Sequence, residues 1–129
     1  MTKVTNIDIA GCKLGNDIIF LPGFRESLNA SFMRRVYSDE EKEYCEQFND
    51  PTLRYASTFA AKEAVYKAVK QWDDTLRLPW KKILISRSKA AGVPTVSIAY
   101  ENVPPFEFSL SISHDGDYVW AVVVCYRKH

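Results

Sequence analysis

The chain reads as an α+β fold, a long helix packed on an antiparallel sheet, and three observations predict it. Asp50-Pro51 opens a helical pattern that runs unbroken to about Trp72. The C-terminal half falls into alternating apolar and polar runs separated by turn residues. A length of 129 residues suits one domain, expected over 1–129, with no repeat, low-complexity tract or linker.

Along the chain, Val4 to Ala10 and Lys13 to Leu21 are expected to be extended, with Pro22-Gly23 ending the second run. Phe24 to Arg35 is a candidate short helix. Ser38 and Glu41 have capping-box spacing, which starts a helix reaching about Phe48. The next and longest helix has Asp50 as N-cap and Pro51 in its first position, because proline lacks the N–H that a first turn leaves unpaired. After Asp73-Asp74 come four strands: Lys82 to Arg87, Thr95 to Tyr100, Phe106 to Ser113 and Tyr118 to Tyr126. Gly92-Val93-Pro94 marks a turn between the first two, and Asp115-Gly116 a hairpin between the last two.

Composition excludes several classes. With 47% hydrophobic and 13% aromatic residues the chain can build a core, and its longest apolar runs are only strand-length. Residues Met1 to Asn16 hold no apolar segment of the signal-peptide kind, so a soluble cytoplasmic protein is expected. A formal net charge of +1 argues against a dedicated nucleic-acid binder, which carries a basic surplus for phosphate contacts. Cys12, Cys45 and Cys125 are odd in number and lack zinc spacing, so they are expected to be reduced, mostly core thiols.

Three segments carry chemistry. In Thr58-Phe59-Ala60-Ala61-Lys62-Glu63-Ala64-Val65-Tyr66-Lys67-Ala68, Glu63 and Lys67 are i,i+4 neighbours on a helix. Ala60, Ala61, Ala64 and Ala68 leave room for another backbone to come close. The bland alternative, a solvated Glu–Lys face, is the commoner meaning of such a pair taken alone. Leu14-Gly15-Asn16-Asp17-Ile18-Ile19 reads as a strand with one acid in an apolar run, costly to desolvate unless something pairs with it. Ser109-Leu110-Ser111-Ile112-Ser113-His114-Asp115-Gly116 reads as a strand ending in a turn.

Taken in order, these segments resemble the signatures of the 4'-phosphopantetheinyl transferase superfamily, specifically its short holo-acyl-carrier-protein synthase type. The family pattern is a Gly-x-Asp strand, a Phe-Ala-Ala-Lys-Glu-Ala helix with a lysine four residues after the glutamate, and a Ser-Ile-Ser-His strand. Phe32 to Ser38 with Glu41, and Gly92-Val93-Pro94, resemble two further family features, so the likeness covers most of the chain.

The resemblance implies transfer of 4'-phosphopantetheine from coenzyme A to a serine of an apo acyl carrier protein, as in fatty acid biosynthesis, leaving holo carrier and 3',5'-ADP. It implies Mg2+ held by Asp17 and Glu63, with Lys67 against the pyrophosphate. Glu63, or a metal-bound water acting through it, would take the acceptor proton; the sequence leaves both open. Lys62 would either flank the nucleotide or face solvent, His114 would contact a coenzyme A phosphate, and Ser113 would offer its hydroxyl there or point outward. Arg25, Arg34 and Arg35 would meet an acidic carrier helix, with Phe32 and Met33 between them, unless Arg35 is an internal pair. A homotrimer is implied, with each coenzyme A site at a boundary between the Glu63 helix and a neighbour's strands.

The departures are specific. A Gly-rich turn that follows the helix in many relatives is replaced by Val69 to Arg77, where Lys70 or Arg77 would have to serve instead. Thr58 stands where an arginine is frequent, and Gly23 where a basic residue is. Two other readings compete: a catalytically silent carrier- or coenzyme A-binding relative, in which Asp17 and Glu63 need not converge, and a small interaction module.

Overall fold

The computed structural model of the chain describes residues 11–87, 93–101 and 103–128. Strand β1 (Cys12–Phe20) leads into two short helices, α1 (Leu21–Ser27) and α2 (Ala30–Val36), then α3 (Asp39–Glu46) and the long α4 (Pro51–Trp72). A 3-10 turn (Trp80–Lys82) precedes β2 (Ile83–Arg87), followed by β3 (Pro94–Ile98), β4 (Phe106–Asp115) and β5 (Tyr118–Arg127). The strands form two antiparallel sheets, β1-β5-β4 and β2-β3, where the sequence pointed to a single one.

Local rules account for most of these boundaries. Ser38 and Glu41 exchange both capping-box bonds, which fixes the start of α3. Pro51 opens α4 as expected, but Asp50 makes no side-chain cap there. Between β4 and β5 the residues Gly116 and Asp117 form the turn, and Gly116 takes the left-handed φ of 56° that such a hairpin requires. The expected helix from Phe24 to Arg35 is two helices, because Asn29 caps a new one by accepting a bond from the Phe32 N–H at 2.9 Å. Pro22 and Gly23 lie inside α1 rather than ending a strand, since proline is tolerated in a first helical turn. The segment Val4 to Ala10, expected to be extended, and Gly92 of the expected turn lie outside the described residues.

The core lies between α4 and the larger sheet. Ala60, Ala61, Ala64, Val65, Ala68 and Val69 meet Leu110, Val119, Ala121, Val123 and Cys125. Strand alternation puts Lys13, Gly15, Asp17 and Ile19 on the helix side of β1, and Leu14, Ile18 and Phe20 on the outer face. Small helix residues allow a close approach here: a β-carbon on Gly15 would lie 1.9 Å from the Ala64 carbonyl oxygen. Cys45 and Cys125 are buried thiols, whose pKa values burial pushes up to about 11 and about 12, and no disulfide joins the three cysteines. No described helix is long and apolar enough to cross a membrane.

Candidate functional site

Gly15 is the reason two distant acids meet. Its missing side chain lets β1 lie directly on α4, and Asp17, two residues on along the same strand face, then reaches Glu63. Burial, the Asp17 charge and a hydrogen bond with Asp17 raise the Glu63 pKa from 4.5 to about 7, against a smaller opposing effect of Lys67. The Lys67 ammonium donates to Asp17 Oδ1 at 2.9 Å and to the Asn16 carbonyl at 3.1 Å. One turn further on, Gln71 donates to the Leu14 carbonyl, so α4 is tied along β1 by side chains as well as by packing.

Two carboxylates forced together share a strong preference for a cation, and Lys67 supplies only part of it. This donor set fits a hard divalent ion such as Mg2+, which binds through one or two carboxylates and completes its shell with water and phosphate oxygens. Among the described residues no cluster of three or more histidine, cysteine or acidic side chains could hold a metal without such help.

Lys62 departs from both expectations for it. Its side chain neither faces solvent nor reaches a ligand: it is fully buried, donating to Glu41 Oε1 at 2.7 Å, the Trp80 carbonyl at 2.8 Å and the Ile83 carbonyl at 2.6 Å. Glu41 also accepts from the Ser38 and Ile85 N–H groups, so the pair joins α3, α4 and β2. The position lies about 100° from Glu63 around the helix, which turns it into the core rather than along the surface. Burial lowers the Lys62 pKa, and the Glu41 charge and hydrogen bond oppose that. Replacing Lys62 by Met should cost on the order of 3–5 kcal/mol in a denaturant titration, because it leaves the Glu41 charge buried without its partner. Adding Glu41→Gln to it should return part of that loss, and additive losses would show the two side chains to be energetically independent.

Ser113 and His114 are exposed at the end of β4. Asp17 pairs with Ala121, and Ala121 with Ile112, so His114 lies two strands across from Asp17 and two residues further along. That is roughly 12 Å between backbones at ordinary strand spacings. Within one protomer, then, these two residues are not gathered at the acid pair. Alternation directs Ser113 to the outer face, beside Trp120.

Arg25, Arg34 and Arg35 are all exposed. Arg35 lies over the Phe32 ring at 5.8 Å, so it is not the internal pair considered as an alternative. Between α1, α2 and α4 an apolar pocket of about 270 Å3 is lined by Ile19, Phe20, Phe24, Phe32 and Phe59. Ile19 follows Asp17 on the same face of β1, and Phe59 precedes Glu63 by one helical turn, so this pocket adjoins the acid pair.

At the far end of α4, Lys70 lies over the Tyr66 ring at 5.5 Å and Arg77 donates to the Asp74 and Leu76 carbonyls. Thr58 is buried and accepts a bond from Arg87 at 2.9 Å. Sequence reasoning had no role for Arg54, Arg87 or the Glu41 partnership. A lysine on the same helix face as Thr58 and Val65 was the available hint that Lys62 points inward.

Comparison with known proteins agrees with this geometry. The family model of the 4'-phosphopantetheinyl transferase superfamily matches residues 13–123. A holo-[acyl-carrier-protein] synthase of Syntrophotalea carbinolica is 35% identical over 122 residues, covering 86% of this chain and 92% of that one. One from Chlamydia caviae is 33% identical over 115 residues, covering 86% and 93%. Among solved structures, the ACPS-CoA complex of Chronobacterium ammoniagenes superposes with a TM-score of 0.80 at 26% identity, over 92% of this chain and 98% of that one. The holo-[acyl-carrier-protein] synthase of Neisseria meningitidis gives 0.73 at 28% identity, over 89% and 98%.

Proposed function

Because this chain belongs to the 4'-phosphopantetheinyl transferase superfamily, we propose that it moves 4'-phosphopantetheine from coenzyme A to a serine of an apo acyl carrier protein in a Mg2+-dependent reaction. The products are holo carrier and 3',5'-ADP. The observation that carries this reading is the convergence of Asp17 and Glu63, with Lys67 between them and the ligand side. That convergence also disfavours the silent-relative alternative, which has no use for two acids pressed together.

When bound, Mg2+ supplies charge neutralisation and alignment of the pyrophosphate oxygens. Asp17 and Glu63 would hold it. Lys67, freed from Asp17, has the reach and charge to stabilise the 3',5'-ADP leaving group at the pyrophosphate oxygen. Glu63 is also the candidate to accept the serine proton, directly or from an intervening water. The experiment is mass spectrometry of an apo carrier incubated with the protein, coenzyme A and Mg2+. A gain of one phosphopantetheine group supports the reading, and an unmodified carrier beside an active control enzyme refutes it.

Assembly belongs to the same proposal. The outer face of the larger sheet carries Leu14, Ile18, Phe20, Tyr118, Trp120 and Tyr126, each between 46% and 63% exposed. A contiguous apolar face of this kind calls for a partner. A homotrimer joined through it would bring Ser113 and His114, stranded within one protomer, to the acid pair of a neighbour for a coenzyme A phosphate. Light scattering should give three times the 14.8 kDa chain mass. Trp120→Glu should shift the protein to monomer and lower transfer together, whereas a fully active wild-type monomer would rule the trimer out.

Carrier recognition is assigned to Arg25, Arg34 and Arg35 around the apolar pocket beside the acid pair. An acidic helix with one apolar side chain would match that surface. Arg25→Glu and Arg34→Glu should each raise the KM for carrier about 5- to 50-fold at low salt, with the KM for coenzyme A nearly constant. Wild-type carrier dependence in both variants would move docking elsewhere.

A further inference from the structure

β1 is an edge strand: β5 pairs with it on one side, and among the described residues no strand pairs with the other. The Arg127 N–H donates to the Gly11 carbonyl at 3.2 Å, which sets the alternation of the ladder. Lys13, Gly15 and Asp17 turn their backbone groups to β5, while Leu14 and Asn16 turn theirs to the open edge. Two side chains of α4 take up those two carbonyls. Lys67 donates to Asn16 at 3.1 Å, and Gln71 donates to Leu14. The spacings agree, since two residues along a strand rise about 6.6 Å and four along a helix about 6.0 Å.

The two rungs are not equivalent. Lys67 is a cation shared between the Asn16 carbonyl and Asp17 Oδ1, with more than half of its side chain exposed, so an arriving phosphate can draw it away. Gln71 is a neutral amide that a phosphate attracts far less. Its Nε2 also donates back to the Lys67 carbonyl at 3.5 Å, so both amide hydrogens are engaged and the side chain is held toward β1. Ordering an exposed glutamine in this way costs rotamer freedom that a merely solvated one keeps. Meanwhile Asp17 and Glu63 repel across the gap between strand and helix. The contact of Gly15 with the Ala64 backbone stops closer approach, but it does not stop the open edge of β1 from lifting.

We propose that Gln71 is a positioning residue for the acid pair: it pins the edge of β1 at Leu14, three residues before Asp17, and keeps Asp17 opposite Glu63 when Lys67 leaves for the ligand. This deepens the transferase reading and rests on it for the departure of Lys67. Gln71 acts through the backbone, by way of the Leu14 carbonyl. α4 runs to Trp72, more than one turn past Lys67, and that length is what lets it carry the second donor. Lys67 can then change partner without releasing the strand.

The test compares Gln71→Leu, Gln71→Glu and Gln71→Lys with wild type in transfer and in Mn2+ binding, the latter by electron paramagnetic resonance with coenzyme A present and no carrier. Gln71→Leu keeps the bulk and removes the donor. It should lower kcat about 3- to 10-fold and weaken Mn2+ binding by a similar factor, with the KM for coenzyme A within about twofold of wild type. Gln71→Glu should do at least as much, because a carboxylate only accepts. Gln71→Lys should recover most of both losses, since an ammonium can donate to the same carbonyl. A glutamine of purely structural value would lower Tm and leave the kcat and Mn2+ affinity of the folded protein at wild-type values. That result overturns the proposal, as does a Gln71→Lys protein as impaired as Gln71→Leu. Wild-type transfer in every variant would remove the role and leave the transferase reading standing. Weakened Mn2+ binding in Gln71→Leu, beside a wild type that transfers nothing, would keep the role and remove that reading.

Discussion

Asp17→Ala and Glu63→Ala should each cut carrier modification by on the order of 10^3-fold or more, with circular dichroism unchanged. Asp17 ties β1 to α4 only through an ion pair with the half-exposed Lys67, and such pairs contribute little to stability. Asp17 raises the Glu63 pKa, and removing either acid relieves that repulsion. The Glu63 carboxyl should titrate near pH 7 in metal-free protein, and Asp17→Asn should bring it down, though not to 4.5, because burial is the larger cause. The sign for stability follows. A carboxyl whose folded pKa is raised keeps its proton longer when folded, so the contribution of Glu63 to stability is full below about 4.5 and is lost as pH rises through about 7. Asp17→Asn should flatten that decline, and Mg2+ should bind more tightly as pH rises through the same window, releasing a proton. A Glu63 carboxyl titrating at an ordinary value in nuclear magnetic resonance, or full activity in either Ala variant, would refute the assignment.

Gly15→Ala should be the most damaging alanine substitution among the described glycines. The new β-carbon would fall 1.9 Å from the Ala64 carbonyl oxygen and 3.0 Å from both the Ala64 carbonyl carbon and the Ala68 nitrogen, all backbone atoms that no rotamer change can move. Restoring ordinary contact of ~3.5 Å requires β1 and α4 to part by roughly 1–2 Å. Overpacking of this kind costs about 3 kcal/mol, near 10 °C in Tm for a chain of this size. Because Asp17 and Glu63 sit on these same two elements, parting them should also weaken Mg2+-dependent transfer at temperatures where the variant is folded. A Tm within about 2 °C of wild type would mean that the two backbones are not in enforced contact. By contrast Gly23→Ala should be nearly silent, since a β-carbon there meets only the Phe20 ring at 3.7 Å.

What the sequence determined by itself was local and periodic. The Ser38–Glu41 cap, the Pro51 start, the alternation of β4 and β5 and the helix phase relating Glu63 to Lys67 all follow from neighbours within a few residues. Alanines at 60, 61, 64 and 68 announced a close backbone contact, although not which backbone would fill it. Motif order supplied the family, and with it the pairing of Asp17 with Glu63, 46 positions apart. The tertiary structure alone decided the rest. Whether Lys62 faces solvent or core depends on where α3 and β2 pack, and a carboxylate from Glu41 with two open carbonyls made burial of its charge tolerable. Gln71 and the Leu14 carbonyl stand on different elements, 57 residues apart, and no spacing rule joins them. The splitting of the strands into two sheets, and the separation of His114 from Asp17 by a full strand, were likewise set by pairing partners. Long-range pairing is a competition among distant segments for the same core, and that competition is resolved only when the whole chain packs.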